Sequence, residues 1–421
     1  MKKTIRDFDL KGKRVLIRVD FNVPLDKNLQ ITDDNRIQAS LPTIRYALEK
    51  GARVVLMSHL GRPEGKPVSS MSLAPASQRL AELLGKKVIQ CSDCVGPRVQ
   101  EELKALSDAS PVAVLENLRF SPLEEKNDAA FAKKLSALGD VYVNDAFGTA
   151  HRAHASTAGI AQYLPAVAGF LLGKEVTYFD KAIKHPERPF VTILGGAKVV
   201  DKVKLISNLL DKADTILVGG AMAYTFYKVL GIGIGNSKFD PAGEQAAKDA
   251  LAKSKAKGVP IILPKDRVIA EKMEKNVATK TVTGDIPAGW SGFDIGPETR
   301  KEFKEILSKA KTIVWNGPLG LFEIPPFDQG TRDIAHFMAE LKGATTIIGG
   351  GDTAAAVVQF GLESKMSHVS TGGGASLEYL EGTTLPGVTA LKDKSPATRT
   401  GSQNPDESHS MDKQRVPGAK K

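Results

Sequence analysis

Short runs of β-branched and aliphatic residues recur along the chain, each followed by a polar or glycine-rich turn and then by a helical pattern. In the first half they fall at 14–19, 53–57, 111–115 and 140–143, with a briefer strand-like stretch at 87–89. In the second half they fall at 190–194, 215–218, 260–263, 312–315 and 345–348. The runs are continuously apolar rather than alternating, which suits strands covered on both faces of a parallel sheet. Segments between them, such as 40–50, 170–183 and 202–212, carry apolar residues at helical spacing. Strands alternating with helices predict α/β architecture.

In open α/β sheets a ligand sits beyond the carboxyl ends of the strands, so the residues that follow each run matter most. First-half runs lead into Asp20-Phe21-Asn22, His59-Leu60-Gly61-Arg62, Glu116-Asn117-Leu118-Arg119 and Asn144-Asp145-Ala146-Phe147. Second-half runs lead into Gly195-Gly196-Ala197-Lys198, Gly219-Gly220, Asn316-Gly317-Pro318 and Gly349-Gly350-Gly351-Asp352. One half offers cationic and amide side chains and the other bare backbone. That asymmetry predicts two domains with two kinds of ligand, divided near 169–189, where a helical pattern ends in His185-Pro186-Glu187-Arg188-Pro189.

Composition excludes several classes. At about 150 residues per domain, a chain of 421 residues holds two or three. Charged residues at 25% exclude collagen, coiled coil and a wholly disordered chain. The most apolar stretch, 159–173, is broken by Gln162 and Pro165 and falls short of the roughly 18–20 residues of a membrane span. Asp7 and Asp9 interrupt any apolar segment behind the basic start, so no membrane association and a cytoplasmic location are expected. Cys91 and Cys94 form a C-x-x-C without thioredoxin-like context, and the pair is read as structural. Of the net charge of +10, +3 falls in 392–421, a stretch poor in apolar residues and read as a disordered tail. The remainder is spread without a basic run, which a groove for a small polyanion explains without nucleic acid.

Candidate chemistry follows from the strand ends. Arg36, His59, Arg62, Arg119 and Arg152 lie at or near them, and the planar fork of arginine suits phosphate and carboxylate. Asp20 and Asn22 are candidates to orient ligand hydroxyls or to bond their own turn. His151-Arg152-Ala153-His154 lacks a third metal ligand and reads as anion-binding or structural. Lys198 and Lys202, four apart, are expected on one face of a helix opening directly after Gly195-Gly196, where backbone N–H groups and two ammonium groups cradle polyphosphate. Gly349-Gly350-Gly351-Asp352-Thr353 and Thr371-Gly372-Gly373-Gly374 open two further helices, and Asp352 can hold Mg²⁺ against phosphate oxygens. Positive charge and backbone donors without a nucleophile are what phosphoryl transfer needs. Two rival readings are a nicotinamide-dependent dehydrogenase, which lacks its G-x-G-x-x-G fingerprint, and a basic RNA-associated protein acting through the tail.

With Val19-Asp20-Phe21-Asn22-Val23-Pro24, Ser58-His59-Leu60-Gly61-Arg62-Pro63, Leu115-Glu116-Asn117-Leu118-Arg119-Phe120 and Gly195-Gly196-Ala197-Lys198-Val199 in order, the chain resembles the phosphoglycerate kinase family from about residue 4 to 391. The resemblance implies two Rossmann-like parallel-sheet domains facing each other across a hinged cleft. They would be a phosphoglycerate-binding domain over 1–168, a linker at 169–189, a nucleotide-binding domain over 190–370 and a return to the first domain at 371–391. It implies a monomer that moves a phosphoryl group between 1,3-bisphosphoglycerate and ADP, giving 3-phosphoglycerate and ATP with Mg²⁺. Asp20, Phe21, Asn22, Arg36, His59, Leu60, Gly61, Arg62, Arg119 and Arg152 would hold the phosphoglycerate. Lys198, Lys202, Gly349, Gly350, Gly351, Asp352 and Thr353 would surround the nucleotide phosphates. Glu323 would meet the ribose, and Gly220, Gly292 and Leu319 would line the adenosine pocket. Arg36, Lys198 and the backbone of Gly372, Gly373 and Gly374 would meet the transferring group. Ala221 stands where some members of the family carry a third glycine.

Overall fold

The computed structural model describes residues 2–394. Two six-stranded sheets, both wholly parallel, organise the chain into two α/β domains. The first holds β1 (Arg14–Arg18), β2 (Arg53–Met57), β3 (Val88–Gln90), β4 (Val112–Val114), β5 (Val141–Asn144) and β6 (Ala166–Ala168) in the order β3-β4-β2-β1-β5-β6. The second holds β7 (Phe190–Leu194), β8 (Thr215–Val218), β9 (Ile261–Ile262), β13 (Thr312–Asn316), β14 (Thr345–Gly349) and β15 (His368–Val369) in the order β15-β14-β13-β7-β8-β9. Between β9 and β13 in sequence, β10 (Asp266–Ala270), β11 (Lys280–Thr283) and β12 (Ser291–Ile295) form a small antiparallel sheet that the periodicity did not predict.

Every apolar run named above is a strand, because Val, Ile and Leu on both faces can be buried only under helices on both sides. The central β1, β5, β7 and β13 are buried along almost their whole length. Alternate side chains of one strand therefore feed different cores. Leu16 and Tyr142 enter one, and Val15, Ile17, Val141 and Val143 the other.

The helix Phe170–Lys184 leaves β6 and leads to β7. Its Glu175 carboxylate, fully buried, accepts from Thr371 N–H at 2.7 Å and the Thr371 hydroxyl at 3.0 Å, and meets His368 Nε2 at 2.6 Å. After the helix Gly374–Leu380 the chain returns to the first sheet: Gly387 N–H bonds Ala150 O at 2.8 Å and Lys392 N–H bonds Ala166 O at 3.0 Å. Lys392–Lys394 remain ordered, with Lys2 paired to Asp393 at 3.1 Å and Lys394 to Asp7 at 3.3 Å. Of the stretch 392–421 expected as a tail, these three residues are described and bonded in this way, and 395–421 lie outside the described residues. No helix among the described residues is long and apolar enough to cross a membrane.

Candidate active site

The carboxyl ends of β1, β2, β4 and β5 converge on one cavity of about 280 Å³. Asp20, Asn22, Arg36, His59, Gly61, Arg62, Arg119 and Arg152 line it, and Gly372, Gly373 and Gly374 close it from the segment after β15. The strand-end turns brace one another: Asn22 Oδ1 accepts from Gly61 N–H at 2.9 Å, and Arg119 Nη1 donates to Gly61 O at 2.8 Å. Phe21 and Leu60, expected among these residues, do not line the cavity. Their side chains are buried in the apolar core beneath it, where they seat the flanking polar residues.

The wall is strongly cationic. Arg119 is 7% exposed, and Arg36 Nη1 meets Asp20 Oδ2 at 2.8 Å. Burial opposes ionisation of Asp20, but the guanidiniums of Arg36 and Arg18 hold its carboxyl below the ordinary value. Burial presses His59 well below the usual imidazole range, Asp20 works against that, and the neighbouring guanidiniums reinforce it, so the ring is neutral. His151 also lines the cavity, accepts from Arg152 Nε at 3.2 Å, and is pushed down mainly by burial. Gly372 permits the approach of the closing segment, since a Cβ there would lie 2.4 Å from the Phe147 ring.

In the second domain a more apolar cavity of about 470 Å³ opens beside the ends of β7, β8 and β13. Gly220, Gly292, Leu319, Glu323 and Asp352 line it, together with Ala221 and Tyr224. Lys202, Thr353 and the Gly349–Gly351 turn stand around Asn316 and Gly317, at the end of β13. Lys202 Nζ donates to Asn316 O at 2.9 Å and also to Asn316 Oδ1, while Thr353 Oγ1 accepts from Gly317 N–H at 2.6 Å. Burial lowers the Lys202 ammonium to about 8, against the pull of Asp352 and Asp201.

The expected helix carrying both lysines does not form. Gly196 spends its N–H on Pro318 O and its carbonyl on Met222 N–H, which ties the loop to its neighbours. A 3₁₀ turn spans Val200–Lys202 and the α-helix begins only at Val203. Lys198 is left exposed on the loop, lines neither cavity, and makes no hydrogen bond or ion pair among the described residues. Cys91 and Cys94 are free and buried, with burial raising both thiols, Cys91 to about 12, which leaves them unreactive.

The sequence pattern assigned no role to Arg18, Glu124 or Asn316. Arg18 follows the apolar Val15–Ile17 stretch of its strand and is buried like it, a signal that could have been read, whereas Glu124 and Asn316 gain their roles only from partners distant in the chain.

Residues 5–383 match the family described as "Phosphoglycerate kinase". A protein of that name from Fervidobacterium nodosum is 55% identical over 397 residues, covering 93% of this chain and 99% of the relative. Another from Thermosipho africanus is 56% identical over 397 residues, covering 93% and 98%. The solved phosphoglycerate kinase of Coxiella burnetii superposes with a TM-score of 0.85 at 42% identity, covering 93% of this chain and 99% of that one. That of Pyrococcus horikoshii gives 0.79 at 33% identity, covering 93% and 98%. With both cavities at the strand ends and likeness along almost the whole sequence, this chain belongs to the phosphoglycerate kinase family.

Proposed function

We propose that the two cavities divide the substrates of reversible phosphoryl transfer between 1,3-bisphosphoglycerate and ADP. The cationic cavity of the first domain takes the phosphoglycerate through Asp20, Asn22, Arg36, His59, Arg62, Arg119 and Arg152. The apolar cavity of the second takes the nucleoside, with Glu323 at the ribose and Lys202, Thr353 and the Gly349–Gly351 turn at the phosphates. In the direction of ATP use, a carboxylate oxygen of 3-phosphoglycerate forms a bond to the γ-phosphorus while the bond to ADP breaks. No proton need move at either oxygen, so the protein's task is alignment and cancellation of charge. Arg36 and the N–H groups of Gly372, Gly373 and Gly374 meet the migrating group from one side. Lys198, exposed on its loop, reaches it from the other when the cleft closes.

Among the described residues no three carboxylate, histidine or cysteine side chains form a ready-made metal centre. Asp352, an exposed carboxylate that lines the nucleotide cavity, suits Mg²⁺ that arrives already bound to phosphates. Asp352 would hold that ion, whose charge offsets that of the phosphates. The enzyme works as a cytoplasmic monomer on this reading, each chain carrying both walls of the site.

The observation that carries the reading is the convergence of four arginines and His59 on one cavity closed by Gly372–Gly374. The test is an assay with 3-phosphoglycerate and Mg-ATP on the full chain. Arg36→Ala and Lys198→Ala should each lower kcat by roughly 10³-fold, as loss of a charge-cancelling cation does elsewhere. A fall of tenfold or less in either would remove that residue from the transfer step.

A further inference from the structure

The structure assigns to Arg18, a residue outside the cavity lining, the task of setting which nitrogen of His59 carries the proton, so that His59 meets the phosphoglycerate as a neutral Nε2–H donor. Arg18 ends β1 and is 1% exposed. Its Nη2 lies 3.2 Å from His59 Nδ1. A guanidinium has only donors, so the Nδ1 atom must be the acceptor and the single ring proton resides on Nε2. A second proton would have to enter on Nδ1, against the Arg18 N–H.

The guanidinium is held in that place from its other sides. Arg18 Nε donates to Ser156 Oγ at 2.9 Å, and an Nη1 donates to Val19 O. Ser156 in turn gives its hydroxyl to Glu124 Oε1 at 2.5 Å and its N–H to Glu124 Oε2 at 3.0 Å. Glu124, fully buried, comes from the short helix Pro122–Glu125 that follows the Arg119 turn. One buried relay, Glu124 to Ser156 to Arg18 to His59, therefore runs beneath the cationic wall and joins four segments of the first domain. Buried charge of this kind is costly unless every donor is used, and here it orients a ligand contact.

The groups facing His59 are Asp20, with Oδ1 at 3.9 Å from Nδ1, and the guanidiniums of Arg18, Arg36 and Arg119. Asp20 alone favours the imidazolium. Burial and three cations oppose it, which agrees with the tautomer that the hydrogen-bond geometry requires. The consequence is that the imidazole contact does not titrate where the enzyme works, and the charge of the wall comes from arginine alone.

This inference rests on the reading that His59 touches the phosphoglycerate, and two measurements separate the two. In ¹⁵N-histidine-labelled wild type, the ring signals assigned by His59→Gln should show neutral Nε2–H from pH 5.5 to 8. An Nδ1–H form or an imidazolium at pH 7 would overturn the proposal, whether or not the protein is active. In kinetics, the ratio of variant to wild-type KM cancels the titration of the substrate phosphate itself. For Arg18→Met that ratio, for 3-phosphoglycerate, should be about tenfold at pH 8 and fall as pH drops through about 6.5, because the released ring gains charge and attracts the anion. KM for Mg-ATP should stay within about twofold, and Arg18→Lys, which keeps a cationic donor, should restore a flat ratio. An Arg18→Met enzyme with an unchanged ring spectrum and a flat ratio would sink the assignment. If that variant fails to fold, the wild-type spectrum decides alone. Wild type inactive with 3-phosphoglycerate and Mg-ATP would instead defeat the kinase reading and leave the tautomer result standing.

Discussion

Lys202 shows how one buried charge can be readable as a residue and unreadable in its state. Its position near a glycine turn marks it as a candidate phosphate ligand, but only the structure puts its ammonium on Asn316, where loss of water lowers it to about 8. The folded, nucleotide-free enzyme therefore begins to lose this charge just above neutrality. We expect kcat/KM for Mg-ATP, which reports ionisations of the free enzyme, to fall by up to about tenfold between pH 8 and 9. Lys202→Met should be low throughout and lack that fall. A variant that keeps the wild-type alkaline limb would assign it to another group. Asn316 Nδ2, buried and without a partner, remains as a donor beside the same spot.

Among the elements, the helix Phe170–Lys184 is unusual in how it starts. Its own N-cap, Gly169, offers no side chain, and the cap is supplied from afar. Thr43 Oγ1 accepts from Phe170 N–H at 2.9 Å, and Asp145 Oδ1 accepts from Leu171 and Leu172 N–H at 2.8 and 3.3 Å. A Cβ at Gly169 would lie 2.1 Å from that carboxylate, so glycine is required for the approach. Burial lifts Asp145 to about 7 despite these bonds. The folded state thus binds a proton that the unfolded chain releases near pH 4, a stabilisation present in full at acid pH and lost as pH rises through about 7. Between pH 5 and 8 this group should contribute a loss of roughly 2–3 kcal/mol. Urea unfolding of wild type and Asp145→Asn at both pH values measures it. The variant, unable to titrate there, should show a difference smaller by that amount, and an equal difference in the two proteins would clear Asp145.

At the scale of the molecule, the two ligand cavities belong to different domains joined by two crossings of the chain. Glu175 on the outgoing helix holds Thr371 and His368, next to the Gly372–Gly374 segment that closes the cationic cavity of the first domain. Closure of one domain against the other is expected to carry that segment with it, so that closure and completion of the site coincide. Solution scattering should show a smaller radius of gyration when 3-phosphoglycerate and Mg-ATP are both present than with either alone. Identical dimensions in all states would rule out closure as the step that brings Lys198 to the transfer point.

The nine long apolar runs were legible because a strand buried on both faces must be apolar at every position, a requirement met within five residues and needing no partner to be seen. The arginine wall was legible for a related reason, since strand ends share one edge of a parallel sheet. The short, alanine-rich β6, the two-residue β15 and the antiparallel β10–β12 carry too little periodic signal to declare themselves. The opening of the helix after Gly196 was misjudged because backbone groups there bond Pro318 and Met222, more than twenty residues away. Local pattern thus determined the strands of the nine apolar runs and the arginines that reach the cleft. Tertiary structure alone decided the ionisation of Lys202 and Asp145, the exposure of Lys198 and the proton on His59, because each depends on burial and on neighbours that only folding brings within a few ångströms.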